Sequence, residues 1–115
     1  MQRVSIFKNV SEPKNPETEE ILYHLFKIRD GEWEDIVNPV RIAKTKEEAE
    51  VLKQKMPTVC YSGEFEYRNE KGIKKHNGLI NIDLDDVEDI DRKKNELKDD
   101  KYVFAVWVST SGKGL

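Results

Sequence analysis

Gly78-Leu79-Ile80-Asn81-Ile82-Asp83-Leu84-Asp85 is the most apolar run in the middle of the chain, and its charges gather at its C-terminal end. Such a run reads as a strand whose last residues emerge into water. Beyond it, Val87, Ile90 and Leu97 recur at helical spacing in a very polar segment that closes near Asp99-Asp100. Tyr102-Val103-Phe104-Ala105-Val106-Trp107-Val108 follows, and a near-continuous apolar run of this kind predicts a central strand covered on both faces. Strand, helix and strand over Leu79–Val108 predict one βαβ unit, right-handed if the two strands are parallel neighbours. Both strands then end at one sheet edge, which brings Asp83 and Asp85 near the loop Ser109-Thr110-Ser111-Gly112-Lys113-Gly114.

Moving toward the N-terminus, Thr58-Val59-Cys60-Tyr61 is β-branched and aromatic, and Glu64-Phe65-Glu66-Tyr67 alternates with period two. The turn signal Asn69-Glu70-Lys71-Gly72 predicts that Glu64–Tyr67 pairs with the Gly78–Asp85 strand. Thr45 and Glu48 have capping-box spacing, so a helix is predicted from Thr45, with Ala49, Leu52 and Met56 on its buried face and Pro57 closing it. Trp33, Ile36 and Val37 make a short apolar patch broken at Asn38-Pro39. An earlier helix is predicted from Asn15 as cap and Pro16 as first residue, with Glu17, Glu19 and Glu20 in its first turn. Its apolar stripe is Ile21, Leu22, Leu25, Phe26 and Ile28, and Asp30-Gly31 stops it. Val4-Ser5-Ile6-Phe7 is a short first strand. The order predicts an α+β domain over residues 1–115: a small mixed sheet, residues 1–57 mainly helical, and residues 58–115 sheet-forming.

The chain has 115 residues, 37% hydrophobic and 37% charged, so its core is small under a heavily solvated surface. Twenty basic residues against 23 acidic ones give a net charge of −3. A pI near 5.5 carries none of the basic signature of an obvious DNA-binding domain, although a local basic face is compatible with it. The absence of a long apolar run excludes a membrane helix and a signal peptide, which predicts a cytoplasmic protein. A single cysteine, Cys60, excludes an internal disulfide and a cysteine zinc cage. It reads as a small buried apolar residue.

Asp83 and Asp85, two apart on a strand, would put two carboxylates on one face roughly 6.5–7 Å apart. Hard cations such as Mg²⁺ take oxygen ligands and keep open positions for substrate phosphates. The competing reading is a strand end in water leading into the next helix. The Ser109–Gly114 loop has two glycines, three hydroxyls and Lys113, a composition that lets backbone N–H groups approach an anion. It lacks the Walker A pattern and reads equally as a glycine-bearing turn. Other candidates are weaker. His24 and His76 have no partner at metal-ligand spacing and read as boundary or surface residues. Trp33 and Trp107 read as core. Lys71, Lys74 and Lys75 read as a solvated turn that could touch phosphate.

The opening Val4–Val10, the run Met56–Phe65, Asn77–Asp85 and Val103–Leu115 together resemble the VirE N-terminal domain family. That family is similar to the archaeo-eukaryotic primase–polymerase superfamily and occurs in proteins of bacterial mobile elements, often ahead of a helicase-like ATPase region. The resemblance implies that Asp83 and Asp85 match a D-x-D motif holding catalytic Mg²⁺ or Mn²⁺. It also implies that Ser109, Ser111, Gly112 and Lys113 match the start of the loop that contacts the incoming nucleotide. Two departures follow: Leu115 stands where many superfamily members have histidine, and the third acidic residue of the site would lie past Leu115. The resemblance therefore implies a truncated portion of a primase/polymerase-like nucleotidyltransferase, acting on a nucleoside triphosphate and a DNA template and inactive by itself. A non-catalytic module binding DNA or a replication partner is the alternative.

Overall fold

The computed structural model describes residues 2–115, and the fold is α+β. The chain divides into two compact units, one running up to Asn81 and the other from Ile82 to Leu115.

In the first unit, β1 (Arg3–Phe7) lies at the centre of a three-stranded antiparallel sheet between β2 (Glu17–Glu20) and β3 (Thr58–Cys60). Val4 and Phe7 are fully buried, as a central strand requires. Residues 17–20 are β2, not the first turn of a helix as expected. Their register runs from Arg3 opposite Glu20 to Ile6 opposite Glu17. The open edge of β1 outweighs the weak β propensity of three glutamates, a case of tertiary pairing overriding local preference. Asn15 has φ 55°, the left-handed turn region, and so cannot serve as the extended cap expected of it.

The helix α1 (Ile21–Arg29) starts where the ladder ends, the Ile21 N–H donating to the Gln2 carbonyl at 3.0 Å. At its C-terminus the N–H of Gly31 donates to Ile28 O at 3.2 Å and that of Glu32 to Lys27 O at 3.0 Å, a Schellman pair closed by Gly31 at φ 78°. Its inward face is Ile21, His24, Leu25 and Ile28; Leu22 and Phe26, expected in the stripe, are exposed. α2 (Glu34–Ile42) runs through Asn38-Pro39 without interruption and buries Val40. α3 (Lys46–Lys53) is capped by Thr45, whose hydroxyl accepts from the Glu48 N–H at 3.1 Å, while the Glu48 carboxylate accepts from Lys44 N–H at 3.2 Å.

β4 (Gly63–Phe65) pairs antiparallel with β5 (Ile73–His76), not with residues 78–85 as expected. The connection between β4 and β5 needs Gly72, where a Cβ would fall 2.2 Å from the Tyr67 carbonyl oxygen. Ser5, fully buried, joins β1 to β4: its hydroxyl donates to Gly63 O at 3.1 Å and accepts from Phe65 N–H at 2.8 Å.

His24 is 2% exposed, contrary to its reading as a boundary residue. Nδ1 lies 3.0 Å from a Glu19 carboxylate oxygen and Nε2 lies 3.2 Å from the Tyr61 hydroxyl. The other Glu19 oxygen accepts from Lys27 at 3.0 Å. Burial pushes the His24 pKa below the ordinary histidine value, outweighing the opposing pull of Glu19. Cys60 is half-buried, and burial raises its thiol pKa.

The second unit contains α4 (Ile90–Lys98), capped by Asp89 accepting from Arg92 N–H at 3.1 Å. The mixed sheet and the βαβ unit are not formed: both sheets are antiparallel, and among the described residues neither 78–85 nor 102–108 joins a ladder. Parallel strands need apolar cover on both faces. The helix in the crossover, Ile-Asp-Arg-Lys-Lys-Asn-Glu-Leu-Lys, buries no residue and cannot provide it. Tyr102 and Phe104 accordingly stay exposed.

Candidate metal and nucleotide site

Asp83 and Asp85 are exposed and flank half-buried Leu84, while Ile82, which an alternating strand would bury with Leu84, is exposed as well. Among the described residues, neither carboxylate is held in an ion pair or a side-chain hydrogen bond. The segment ends at Asp86, whose φ of 51° turns the backbone sharply.

The acidic segment and the serine–glycine loop do lie side by side, through antiparallel contacts instead of the parallel strands expected. Leu84 N–H donates to Leu115 O at 2.9 Å, and Leu115 N–H returns the bond to Leu84 O at 3.0 Å. One step along, Val87 N–H donates to Lys113 O at 2.9 Å. Gly114 makes the approach possible: a Cβ there would fall 1.9 Å from the Leu84 carbonyl oxygen and 3.4 Å from the Asp85 Cα. A glycine at this position is thus required by contact with the acidic segment, a signal absent from motif reading.

The loop is closed on itself. Ser109 N–H donates to Gly114 O at 2.9 Å and Gly112 N–H to Ser109 O at 3.0 Å. Lys113 N–H reaches the Ser111 hydroxyl at 3.2 Å, Gly114 N–H reaches the Ser109 hydroxyl at 3.2 Å, and the two hydroxyls are 3.1 Å apart. Gly112, at φ 77°, occupies the left-handed position of the turn. The backbone donors of Ser109, Gly112, Lys113 and Gly114 are therefore spent inside the loop, which leaves the exposed Lys113 ammonium as its outward positive group. Leu115, where the resemblance implies histidine, is buried and acts through its backbone as the partner of Leu84.

Two unpaired carboxylates two residues apart fit a hard divalent cation, which is commonly held by one or two carboxylates, water and substrate phosphates. Among the described residues no group of three or more His, Cys, Asp or Glu side chains is arranged to hold a metal ion. No helix among the described residues is long and apolar enough to cross a membrane.

Neither a characterised protein nor a solved structure matches the chain significantly. The family model described as the BT4734-like N-terminal domain matches residues 51–115, more than half of the chain. The match takes in β3, the whole acidic segment and the serine–glycine loop. It corresponds to the VirE N-terminal-like family that the sequence resembles. The chain belongs to the BT4734-like N-terminal domain family.

Proposed function

We propose that this domain supplies the acidic and nucleotide-facing edge of a primase/polymerase-like nucleotidyltransferase of a mobile genetic element. The observation that supports the reading is the reciprocal Leu84–Leu115 backbone pair, which brings the backbone of the acidic segment against the chain that follows Ser109. Asp83 and Asp85 would hold Mg²⁺ or Mn²⁺. When bound, such a cation supplies neutralising charge at the transferring phosphate and favours ionisation of the attacking hydroxyl. Lys113 draws the triphosphate toward the loop, and the Ser109 and Ser111 hydroxyls hold the turn in shape. Gly114 keeps the loop against the acidic segment.

A second reading is favoured by one specific observation, the consumption of the loop's N–H groups by its own carbonyls and hydroxyls. A loop with its donors turned inward suits a non-catalytic module that binds DNA or a replication partner, such as a helicase-like ATPase region.

Calorimetric titration with Mn²⁺ and a nucleoside triphosphate separates the two. The nucleotidyltransferase reading expects metal-dependent nucleotide binding that Asp83→Asn and Asp85→Asn each weaken by roughly tenfold, about 1.4 kcal/mol. Equal binding by both variants and the unmodified chain rejects it. DNA affinity with no metal-dependent nucleotide binding selects the module.

A further inference from the structure

A cleft of about 360 Å³ opens in the first unit, lined by Gln2, Arg3, Glu64, Lys75, His76 and Asn77. It shares no residue with the acidic segment or the serine–glycine loop. We propose that this cleft is a phosphate-binding site, built to take a phosphodiester of single-stranded nucleic acid, with free phosphate as the other source of the same chemistry.

The frame of the cleft is fixed by Asn77. Its side-chain amide donates to Tyr61 O at 2.7 Å and to Arg3 O at 3.1 Å. Its Oδ1 accepts from Leu79 N–H at 2.9 Å, and its backbone carbonyl accepts from Gln2 Nε2 at 3.2 Å. β4 and β5 are drawn tightly together at this point, since a Cβ on Gly63 would sit 2.1 Å from the Lys75 carbonyl oxygen. The walls are therefore preorganised, which spares a ligand the cost of ordering them.

The charges around this frame favour an anion. Lys75 lies directly opposite Glu64 in the β4–β5 register. The Glu64 carboxylate nevertheless turns to Arg3, 3.7 Å from its Nε, and among the described residues Lys75 has no carboxylate partner. Arg3 donates a hydrogen bond to Thr18 O at 3.1 Å, and its fork of five donors keeps others unused. His76 accepts the Gly78 N–H at Nδ1, at 2.9 Å, which assigns the neutral ring's proton to Nε2 as a further donor. The lining of the cleft thus carries two permanent cations against one carboxylate. β5 continues this surface, with all four of its residues exposed.

The test is fluorescence anisotropy of a labelled oligothymidylate without divalent metal, using the chain and its Lys75→Glu, Arg3→Gln and Lys98→Glu variants. Lys98 lies exposed at the end of α4 and serves as the charge control. Loss of one phosphate contact lowers the salt slope by about 0.7, equivalent to roughly eightfold in affinity at about 50 mM salt relative to 1 M. Lys75→Glu and Arg3→Gln are each expected to lose at least that much, and Lys98→Glu far less. In parallel, inorganic phosphate is titrated while the amide resonances of Lys75, His76 and Asn77 are followed. Phosphate shifts that vanish in Lys75→Glu, without oligonucleotide binding, keep the site and assign it to free phosphate. Wild-type affinity in Lys75→Glu with no phosphate shifts, or an equal loss in Lys98→Glu, overturns the proposal.

Discussion

Gly114→Ala is the sharpest test of the architecture around Asp83 and Asp85. The added methyl would lie 1.9 Å from the Leu84 carbonyl oxygen and 3.1 Å from its carbon, both backbone atoms that no rotamer change can move aside. Restoring an ordinary carbon–oxygen contact of about 3.3 Å requires the segments to part by about 1.4 Å. The reciprocal Leu84–Leu115 bonds, 2.9 and 3.0 Å long, would then be stretched beyond hydrogen-bonding range. At about 1 kcal/mol net for each bond, the pair is worth roughly 2 kcal/mol. That corresponds to a roughly thirtyfold rise in the opening equilibrium of this pairing. Native-state hydrogen exchange reads it directly: the amides of Leu84, Leu115 and Val87 should lose protection by about that factor, while amides of β1 keep theirs. Gly78→Ala is the control. Gly78 has φ 84° but nothing within 4 Å of the place its methyl would take, so the substitution strains the backbone locally without touching the pairing. Unchanged exchange at Leu84 and Leu115 in Gly114→Ala would refute the close approach and, with it, the juxtaposition on which the proposed function stands.

Ser5→Ala should cost about 2 kcal/mol in a urea melt, because it leaves the Phe65 N–H and the Gly63 carbonyl without their buried partner. Thr45→Ala should cost about 1 kcal/mol through loss of the α3 cap, visible as a lower urea midpoint. His24 gives a pH dependence with a definite sign. Its folded-state pKa lies below the ordinary value of 6.5, so the unfolded chain takes up the proton first. Its contribution to stability is therefore fully present above pH 6.5 and declines as the pH falls through and below that value. Thermal melts of His24→Gln between neutral and mildly acidic pH should show a shallower decline than the unmodified chain; equal slopes would remove His24 as the cause. Glu19, Lys27, Glu32 and Tyr61 are the charged or polar groups around the ring, and all stay in place in that variant.

Local signals were enough for elements whose cause is local. Thr45 with Glu48 marks the start of α3, Asp30-Gly31 marks the end of α1, and the alternation in Val4–Phe7 marks β1. The buried face of α1 was also written in the spacing Ile21, His24, Leu25 and Ile28, but reading it required admitting a histidine into an apolar stripe. β2 was not legible, since three glutamates become a strand only because β1 offers them an edge. The run Tyr102–Val108 failed the opposite way: its side chains favour a strand, yet a strand is defined by a ladder, and the run joins none among the described residues. In the candidate site, the order of elements predicts the nearness of the acids to the serine–glycine loop through two parallel strands that do not form. The antiparallel contact that creates it depends on a missing Cβ at Gly114, which motif spacing does not encode. The cleft around Asn77 joins Gln2 and Arg3 to residues more than 70 positions away, beyond the reach of any local pattern.

The position of β1 at the middle of its sheet also dictates an order of assembly. Its β2 edge can close as a hairpin once residue 20 has been synthesised, whereas the β3 edge must wait for residues 58–60. For that interval Val4 and Phe7 are only half covered while three helices are made. The longer loop costs little extra entropy at equilibrium but slows the search for the partner. Closing the β3 edge is thus the slower of the two pairings in this sheet, and until it closes β1 presents an open edge to which a strand of another chain could add.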